Sequence, residues 1–461
     1  MFGYCSIKRS FGVPFLLAAV ILINAAAAQI YSQTVFTPKL TLATAVEKAL
    51  TNNPQTRASQ INTKIAEAKI AEAKTGRQPF VQFTQGFTRS NNPVFVFGSL
   101  LEQGRFGAAN FALTSLNNPG AINNFRSNIG VRAPLFDQRQ TESKVSRAVI
   151  ERKRVDLQAE VVRQQLRFDV IRSYYGAILA AQLLEVTDEA VKSAKENARK
   201  TKDMVDVGLV AESDSLVAEV ELANTEQQKL EAESNIVTTL AALNVAIGNK
   251  PDAVSELTER LQEKYFPVEP QDELLRIAFA ERPDYRQAQL VIDSSREEAR
   301  SIKNQKLPRL DAFGNVGYSS PYIANGSSDY TVGLSLSYTV FDPGRKARLE
   351  QYAGAESVAE LDKEKLANQI TLEVIGALQN FKTARSKIQV SIKSVNQSEE
   401  ALRIIQDRYK FGLTTFNEVL RAETAVARSK QNLLTARYQY YVSYASILLA
   451  TGRLTDVGTF G

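Results

Sequence analysis

Two stretches decide the fold of this 461-residue chain: Tyr409-Lys-Phe-Gly412-Leu413-Thr-Thr-Phe-Asn-Glu418-Val-Leu420 and Asp206-Val-Gly208-Leu209-Val-Ala-Glu-Ser-Asp214-Ser-Leu216. Each contains a Gly-Leu pair typical of a tight turn, between long stretches that contain no proline. The stretch before each turn has room for a helix of about 70 residues, which would be about 100 Å long at roughly 1.5 Å per residue. We therefore predict two long helical hairpins, at residues 138–248 and 343–452.

The same elements occur twice along the chain. Short motifs recur in the same order: Asn53-Pro54 as Arg282-Pro283, Phe136-Asp137 as Phe341-Asp342, and Ile247-Gly248 as Thr451-Gly452. Two copies of one unit explain this order. We predict a first repeat at residues 29–250, a proline-containing linker at 251–270 and a second repeat at 271–455. In each repeat a pair of short helices precedes two strands and one long hairpin.

Four segments alternate between apolar and polar residues with period two, as strands do: residues 80–90, 126–136, 309–319 and 329–341. Alternation alone fits a soluble sheet with one buried face equally well. Small polar residues on the second face and aromatic residues near the strand ends favour strands that cross a membrane. Four strands cannot close a barrel, and open strand edges are not tolerated in lipid. We therefore expect an oligomer to which each chain contributes four strands.

The acidic residues that follow the strands are placed to start the long helices. Asp137 can cap the first long helix, and Asp342 can cap the second with Pro343 at its first helical position. Both long helices therefore have a defined predicted start.

The beginning of the chain has the features of a secretory signal peptide, at residues 1–28. Lys8 and Arg9 precede a short apolar run, and Ala26-Ala27-Ala28 forms a cleavage site. Cys5, the single cysteine, lies before the apolar run. We therefore expect neither a disulfide nor a lipid anchor in the mature chain.

The composition excludes several classes of function. The sequence has no His, which excludes Ser-His and Cys-His catalysis and the common zinc and copper sites. The formal net charge of +6 is small for this length, and no Lys/Arg cluster is interleaved with aromatic residues. No nucleic-acid surface is expected from such a distribution. We expect no catalytic residues, no cofactor and no metal site.

The order of these elements, their duplication and the paired Gly-Leu turns resemble the TolC-like outer-membrane efflux proteins of Gram-negative bacteria. The resemblance covers residues 40–455. It implies a mainly α-helical fold with a membrane β-barrel. Three copies would form one twelve-stranded barrel in outer-membrane lipid, and their helices would form a long α-helical barrel across the periplasm. It also implies the exit duct of a tripartite efflux pump or type I secretion system, with a periplasmic adaptor and an inner-membrane pump of RND or ABC type as partners.

The resemblance also places a periplasmic gate at the hairpin tips. Tyr409 and Asp214 match a pair that hydrogen-bonds between the two hairpins in family members and holds the tips closed. Two simpler interpretations stay open: Asp214 stabilises the first turn of its own helix, and Tyr409 only packs between helices.

Three further gate positions lie at the second tip. Glu418 matches an acidic position that faces the tunnel at its constriction, although Thr415 and Glu418 also have the spacing of a capping box. Arg421 and Thr414 depart from the family pattern, in which these positions are acidic and basic. Strong cation selectivity is therefore not implied for this chain.

The two turns are candidate docking surfaces for the adaptor. Gly208 and Gly412 are expected to have positive φ, which would leave Leu209 and Leu413 exposed at the tips. The alternative is that each leucine tucks under its own turn.

Other functions remain to be compared with the exit duct. A non-transporting periplasmic coiled-coil scaffold or adhesin would not need the repeated strand pairs. A general diffusion porin has no use for hairpins of about 100 Å. The first repeat carries an extra loop at residues 91–125 with several Phe residues, which we expect to fold over the outer mouth of the barrel.

Overall fold

The computed structural model describes residues 39–253, 256–257 and 259–460, so the predicted signal peptide lies outside the described residues. The helices are α1 (Leu42–Asn52), α2 (Pro54–Lys74), α3 (Pro93–Glu102), α4 (Leu113–Asn117), α5 (Gln140–Asp206), α6 (Glu212–Ala246), α7 (Gln271–Glu281), α8 (Pro283–Asn304), α9 (Arg345–Lys410) and α10 (Phe416–Ala450). The strands are β1 (Lys39–Leu40), β2 (Phe80–Ser90), β3 (Ile122–Asp137), β4 (Glu256–Leu257), β5 (Arg309–Ser320) and β6 (Ser327–Ser337).

Two helical hairpins dominate the molecule. Helices α5 and α9 have 67 and 66 residues, and each returns as a helix of 35 residues, α6 and α10. The shorter helices α2 and α8 pack beside α5 and α9 near the sheet, and α10 contacts α5 of the other hairpin. This arrangement confirms the predicted fold class of two repeats, each with a helix pair, two strands and a hairpin. Over the described ranges, none of the helices combines the length and the apolar character needed to cross a membrane.

The returning helices of both repeats end in the same close contact. Gly248 and Gly452 follow these helices with φ of +79° and +73°. A Cβ atom on Gly248 would lie 2.8 Å from the backbone of Asn52, and one on Gly452 would lie 2.9 Å from the backbone of Arg282. In both repeats the helix end therefore touches the junction of the two short helices, at the motifs that recur in the sequence.

The main core lies midway along the hairpins, where they meet the linker and the C-terminal segment. Tyr174 and Tyr175 of α5 are fully buried, and the Tyr175 hydroxyl donates to the carbonyl oxygen of Phe460 at 3.3 Å. The ring of Phe266, from the linker, stacks on Tyr444 of α10 with centroids 4.3 Å apart. Burying each such aromatic ring stabilises the fold by about 2–3 kcal/mol. The two hairpins are thus joined by apolar packing in the middle, far from both the sheet and the tips.

The four long strands form one antiparallel sheet in the order β2-β3-β5-β6, which joins the two repeats at β3 and β5. A register shift between Pro134 and Phe136 interrupts the β3–β5 pairing. Proline is tolerated there because a bulge does not need its missing N–H group. The outer edges of β2 and β6 have no partner strand among the described residues.

The sheet has one apolar and one polar face. Leu334 and Leu336 lie on the apolar face and are 68% and 70% exposed, while Ser335 lies between them on the polar face. Phe313 is an aromatic residue on the polar face. Its ring covers Gly333 on the neighbouring strand, where a Cβ atom would come within 2.6 Å of it. Because Gly333 leaves room for the ring, Phe313 can lie on the polar face, where the alternating pattern would place a polar residue.

The observed strand end and helix starts differ from the predicted ones. Strand β6 ends at Ser337, not at residue 341, because its partner β5 begins opposite it at Arg309 and is preceded by proline. Asp137 is the last residue of β3 and Arg139 is the N-cap of α5, so the predicted cap position is wrong, although the Asp137 carboxylate accepts the N–H of Thr141 in the first turn at 2.7 Å. The second long helix begins at Arg345 with Gly344 at its N-cap, so Pro343 lies outside the helix.

Two glycine substitutions separate backbone strain from close packing. Gly412→Ala, at a tip where a Cβ would meet nothing within 4 Å, should cost about 1–2 kcal/mol because of its positive φ. Gly452→Ala carries the same strain and adds a clash worth about 1–3 kcal/mol. Thermal unfolding of the purified protein, followed by circular dichroism, should therefore show a larger drop in unfolding temperature for Gly452→Ala than for Gly412→Ala. Equal losses would mean that the junction can relax around the added methyl group.

Candidate functional site

The two hairpin tips are built alike. Gly208 and Gly412 have φ of +75° and +70°, and at each tip the N–H of the following leucine donates to the carbonyl oxygen five residues earlier at 2.9 Å. This is the Schellman ending of a helix. Leu209 and Leu413 are 71% and 66% exposed, so neither leucine tucks under its own turn. With Val207 at 69% and Phe411 at 78% exposure, each tip presents two apolar side chains to its surroundings.

Tyr409 lies close to Asp214 but does not bond to it. The Tyr409 hydroxyl is buried without a hydrogen-bond partner in the described chain, and its ring lies 5.8 Å from that of Phe416 on the same hairpin. Burial, together with the nearby charge of Asp214, raises the pKa of Tyr409 above its ordinary value. The hydrogen bond implied by the resemblance is therefore not formed within the described protomer.

Glu418 pairs with its own helix. Its carboxylate accepts a hydrogen bond from the Arg421 guanidinium at 3.1 Å, one turn along α10. Thr415 has the extended backbone of an N-cap, but its side chain caps nothing, so the capping-box interpretation is wrong. The charged partner offered by Arg421 is the physical reason. Thr414 is half-buried beside the turn.

Polar contacts that do join the two hairpins lie further from the tip, one at Glu423 and one between Lys430 Nζ on α10 and the Glu189 carboxylate on α5, 3.3 Å apart. The carboxylate of Glu423 on α10 accepts hydrogen bonds from Ser193 Oγ at 3.0 Å and Asn197 Nδ2 at 2.7 Å, both on α5. Sequence reasoning missed this contact. The only available signal was a Ser and an Asn four residues apart on one helix, and nothing in a single sequence pairs them with a carboxylate more than 220 residues away.

The tips offer breakable polar contacts and exposed apolar side chains. Hydrogen bonds to a charged group are worth about 1.5–3 kcal/mol, enough to hold two helices together and small enough to be broken by a partner. Across residues 39–253, 256–257 and 259–460, no three Cys, Asp or Glu side chains are grouped as a metal site would require. The arrangement is suited to holding and releasing the two hairpins.

Comparison with known proteins gives the same assignment as the fold. The model of the family described as "Outer membrane efflux protein" matches residues 45–249 and 274–453, the two repeats without the linker. The outer membrane protein TolC of Escherichia coli is 23% identical over 65% of this chain and 64% of its own length. The outer membrane efflux protein BepC of Brucella suis is 20% identical over 93% of this chain and 90% of its own.

A solved structure shares the fold. The CmeC outer membrane channel of Campylobacter jejuni superimposes with a TM-score of 0.75 at 18% identity, covering 89% of this chain and 85% of that one. Because the family model matches most of the chain, the sequence-based assignment is confirmed. The chain belongs to the outer membrane efflux protein family, and it is an outer-membrane protein with a periplasmic extension that serves as the exit duct of an efflux or type I secretion system.

Proposed function

We propose that three copies of this chain close into one conduit, which passes substrate without catalysis of its own. The open edges of β2 and β6 support this assembly most directly, because unpaired strand edges are not tolerated in lipid. Each copy contributes four strands, and β6 of one copy would pair with β2 of the next. The exposed apolar face would then contact lipid all round the barrel.

The hairpin tips are proposed to dock a periplasmic adaptor that connects the conduit to an inner-membrane pump of RND or ABC type. Gly208 and Gly412 allow the sharp turns, and Leu209 and Leu413 offer an exposed apolar side chain at each tip. Apolar groups exposed in pairs at the end of a long polar hairpin favour contact with another protein.

The same tips are proposed to form the gate. In this chain the carboxylate of Glu423 holds α5 and α10 together, while Tyr409 and Asp214 contribute packing and charge. A cavity of about 230 Å³ lies beside Glu423 between the two hairpins. Glu418 and Arg421, further towards the tip, would set the charge at the constriction together with Thr414.

The first prediction concerns assembly. Native mass spectrometry of the detergent-purified protein should give three copies, because one chain leaves two strand edges open. The same complex should resist dissociation in mild sodium dodecyl sulfate. A stable monomer that inserts into lipid vesicles would contradict the proposed barrel.

The second prediction concerns the two faces of the sheet. Leu334→Arg should destabilise the membrane-inserted protein by about 2–4 kcal/mol, because it places a charge against lipid near mid-membrane. Ser335→Arg, one residue further on the polar face, should be tolerated. The measurement is the denaturant midpoint of folding into lipid vesicles. A larger loss for Ser335→Arg would reverse the assignment of faces.

The third prediction concerns the gate. Glu423→Ala removes two hydrogen bonds to a charged group in each copy, so it should raise single-channel conductance in planar bilayers without adaptor. Tyr409→Phe should leave conductance unchanged, because the hydroxyl that it removes has no partner.

Glu418→Ala is the matched control for the gate. It removes a carboxylate from the same helix whose hydrogen bond stays within that helix, so it should alter ion selectivity and leave opening unchanged. A rise in conductance for Tyr409→Phe equal to that for Glu423→Ala would instead assign the gate to the tyrosine.

A further inference from the structure

The loop between β2 and β3 folds back over the polar face of the sheet. Its helix α3 forms one wall of a cleft of about 760 Å³, and polar-face residues form the other, among them Thr84, Asn128 and Thr331. The loop lies at the end of the sheet remote from the hairpins, which is the outer end because the hairpins extend into the periplasm. If the apolar face contacts lipid, the polar face and α3 both lie inside the barrel.

An ion-pair cluster ties α3 to the sheet. Arg126 of β3 pairs with Glu102 at the end of α3 at 2.9 Å and with Asp329 of β6 at 3.1 Å. Gly317, on the strand between them, leaves space for the pair, because a Cβ atom there would lie 2.7 Å from the Asp329 carboxylate. The sheet is therefore shaped to hold this arginine in the position where it reaches the helix.

A second contact ties the end of the helix independently. Gln103 Nε2 donates to the carbonyl oxygen of Asn123 at 2.8 Å and to Asn124 Oδ1 at 3.0 Å. Gln103 is only 3% exposed, and Val96 and Ser99 of the helix are also buried. A surface loop that merely covered the mouth would not bury polar side chains against the inner face of the sheet.

We propose that α3 forms a constriction inside the outer mouth of the barrel, which sets the size of the molecules that pass there; this rests on the trimer proposed above. Twelve strands about 4.8 Å apart and tilted by about 40° enclose a barrel about 24 Å across between opposite backbones. A helix with its side chains is about 10 Å wide. Three such helices, one on the wall of each copy, occupy most of that width.

The free side of α3 fits this position. Leu101 is 52% exposed in the single chain, and Val94, at the rim of the cleft, is 81% exposed. In the trimer this side faces the barrel axis, where the α3 helices of the other two copies lie. The occupant of the exposed apolar side is therefore the same helix of the neighbouring copies.

Cysteine labelling tests the constriction in the full-length trimer. The sequence has one cysteine, Cys5 in the predicted signal peptide, so Thr84→Cys places a single thiol in the cleft of the mature protein. Maleimide, either small or attached to a long polyethylene glycol, is added from outside the cell. The small reagent should react, and the large one should be excluded. In the background Glu102→Ala with Gln103→Ala, which frees the helix end, this size discrimination should be lost.

Two controls accompany the test. Leu113→Cys, in the exposed outer part of the loop, should react with both reagents. Arg89→Gln removes an arginine that contacts Asn123 at the same end of the sheet on the apolar face, and it should keep the discrimination at Thr84→Cys.

Each outcome decides between the possibilities. Equal rates with small and large reagents at Thr84→Cys, in the unaltered loop, would overturn the constriction even if the freed variant fails to assemble. Loss of the size discrimination in the Arg89→Gln variant would overturn the constriction as well. A general loosening of the barrel would then explain the loss seen with Glu102→Ala and Gln103→Ala. If even the small reagent fails to reach Thr84→Cys in intact trimers, the open barrel, and with it the proposed function, is contradicted instead.

Discussion

Inside a lipid bilayer a backbone N–H or C=O group without a partner costs several kcal/mol, and β2 and β6 each leave such a row of groups unpaired in the single chain. The rest of the architecture follows from this requirement. A sheet of four strands is too narrow to close on itself, and in the proposed assembly other copies complete the barrel. In that assembly the hairpins would stand side by side around the same axis as the strands, because each long helix follows its strand through only a short connection.

The duplication allows one set of contacts to serve two hairpins. The glycine that ends each returning helix meets the same junction between short helices, and both tips close with the same turn. The repeats differ where the functions of their ends differ. Within the described residues, the first repeat carries a helix over the sheet, and the second supplies the Glu423 carboxylate that bonds to Ser193 and Asn197 of the other hairpin.

Periodicity and turn chemistry in the sequence predicted the elements of the fold, because both are local. The Gly-Leu turns at Gly208 and Gly412 and the alternation of the strand ending at Ser337 are examples. Contacts between helices distant in sequence were beyond this reasoning. The partners of Glu423, and the absence of a described hydrogen-bond partner for the Tyr409 hydroxyl, depend on how two helices are placed against each other.

The helix ends at Gly248 and Gly452 touch backbone directly, with no side chain between to yield. If a returning helix tilts, this close backbone contact is the pivot about which it would turn. From this level each returning helix of 35 residues extends about 50 Å to its tip. A tilt of about 6° about the pivot therefore moves the tip by about 5 Å, roughly one helical turn. A small change of angle at this junction would therefore become a displacement as large as a side chain at the far end of the helix.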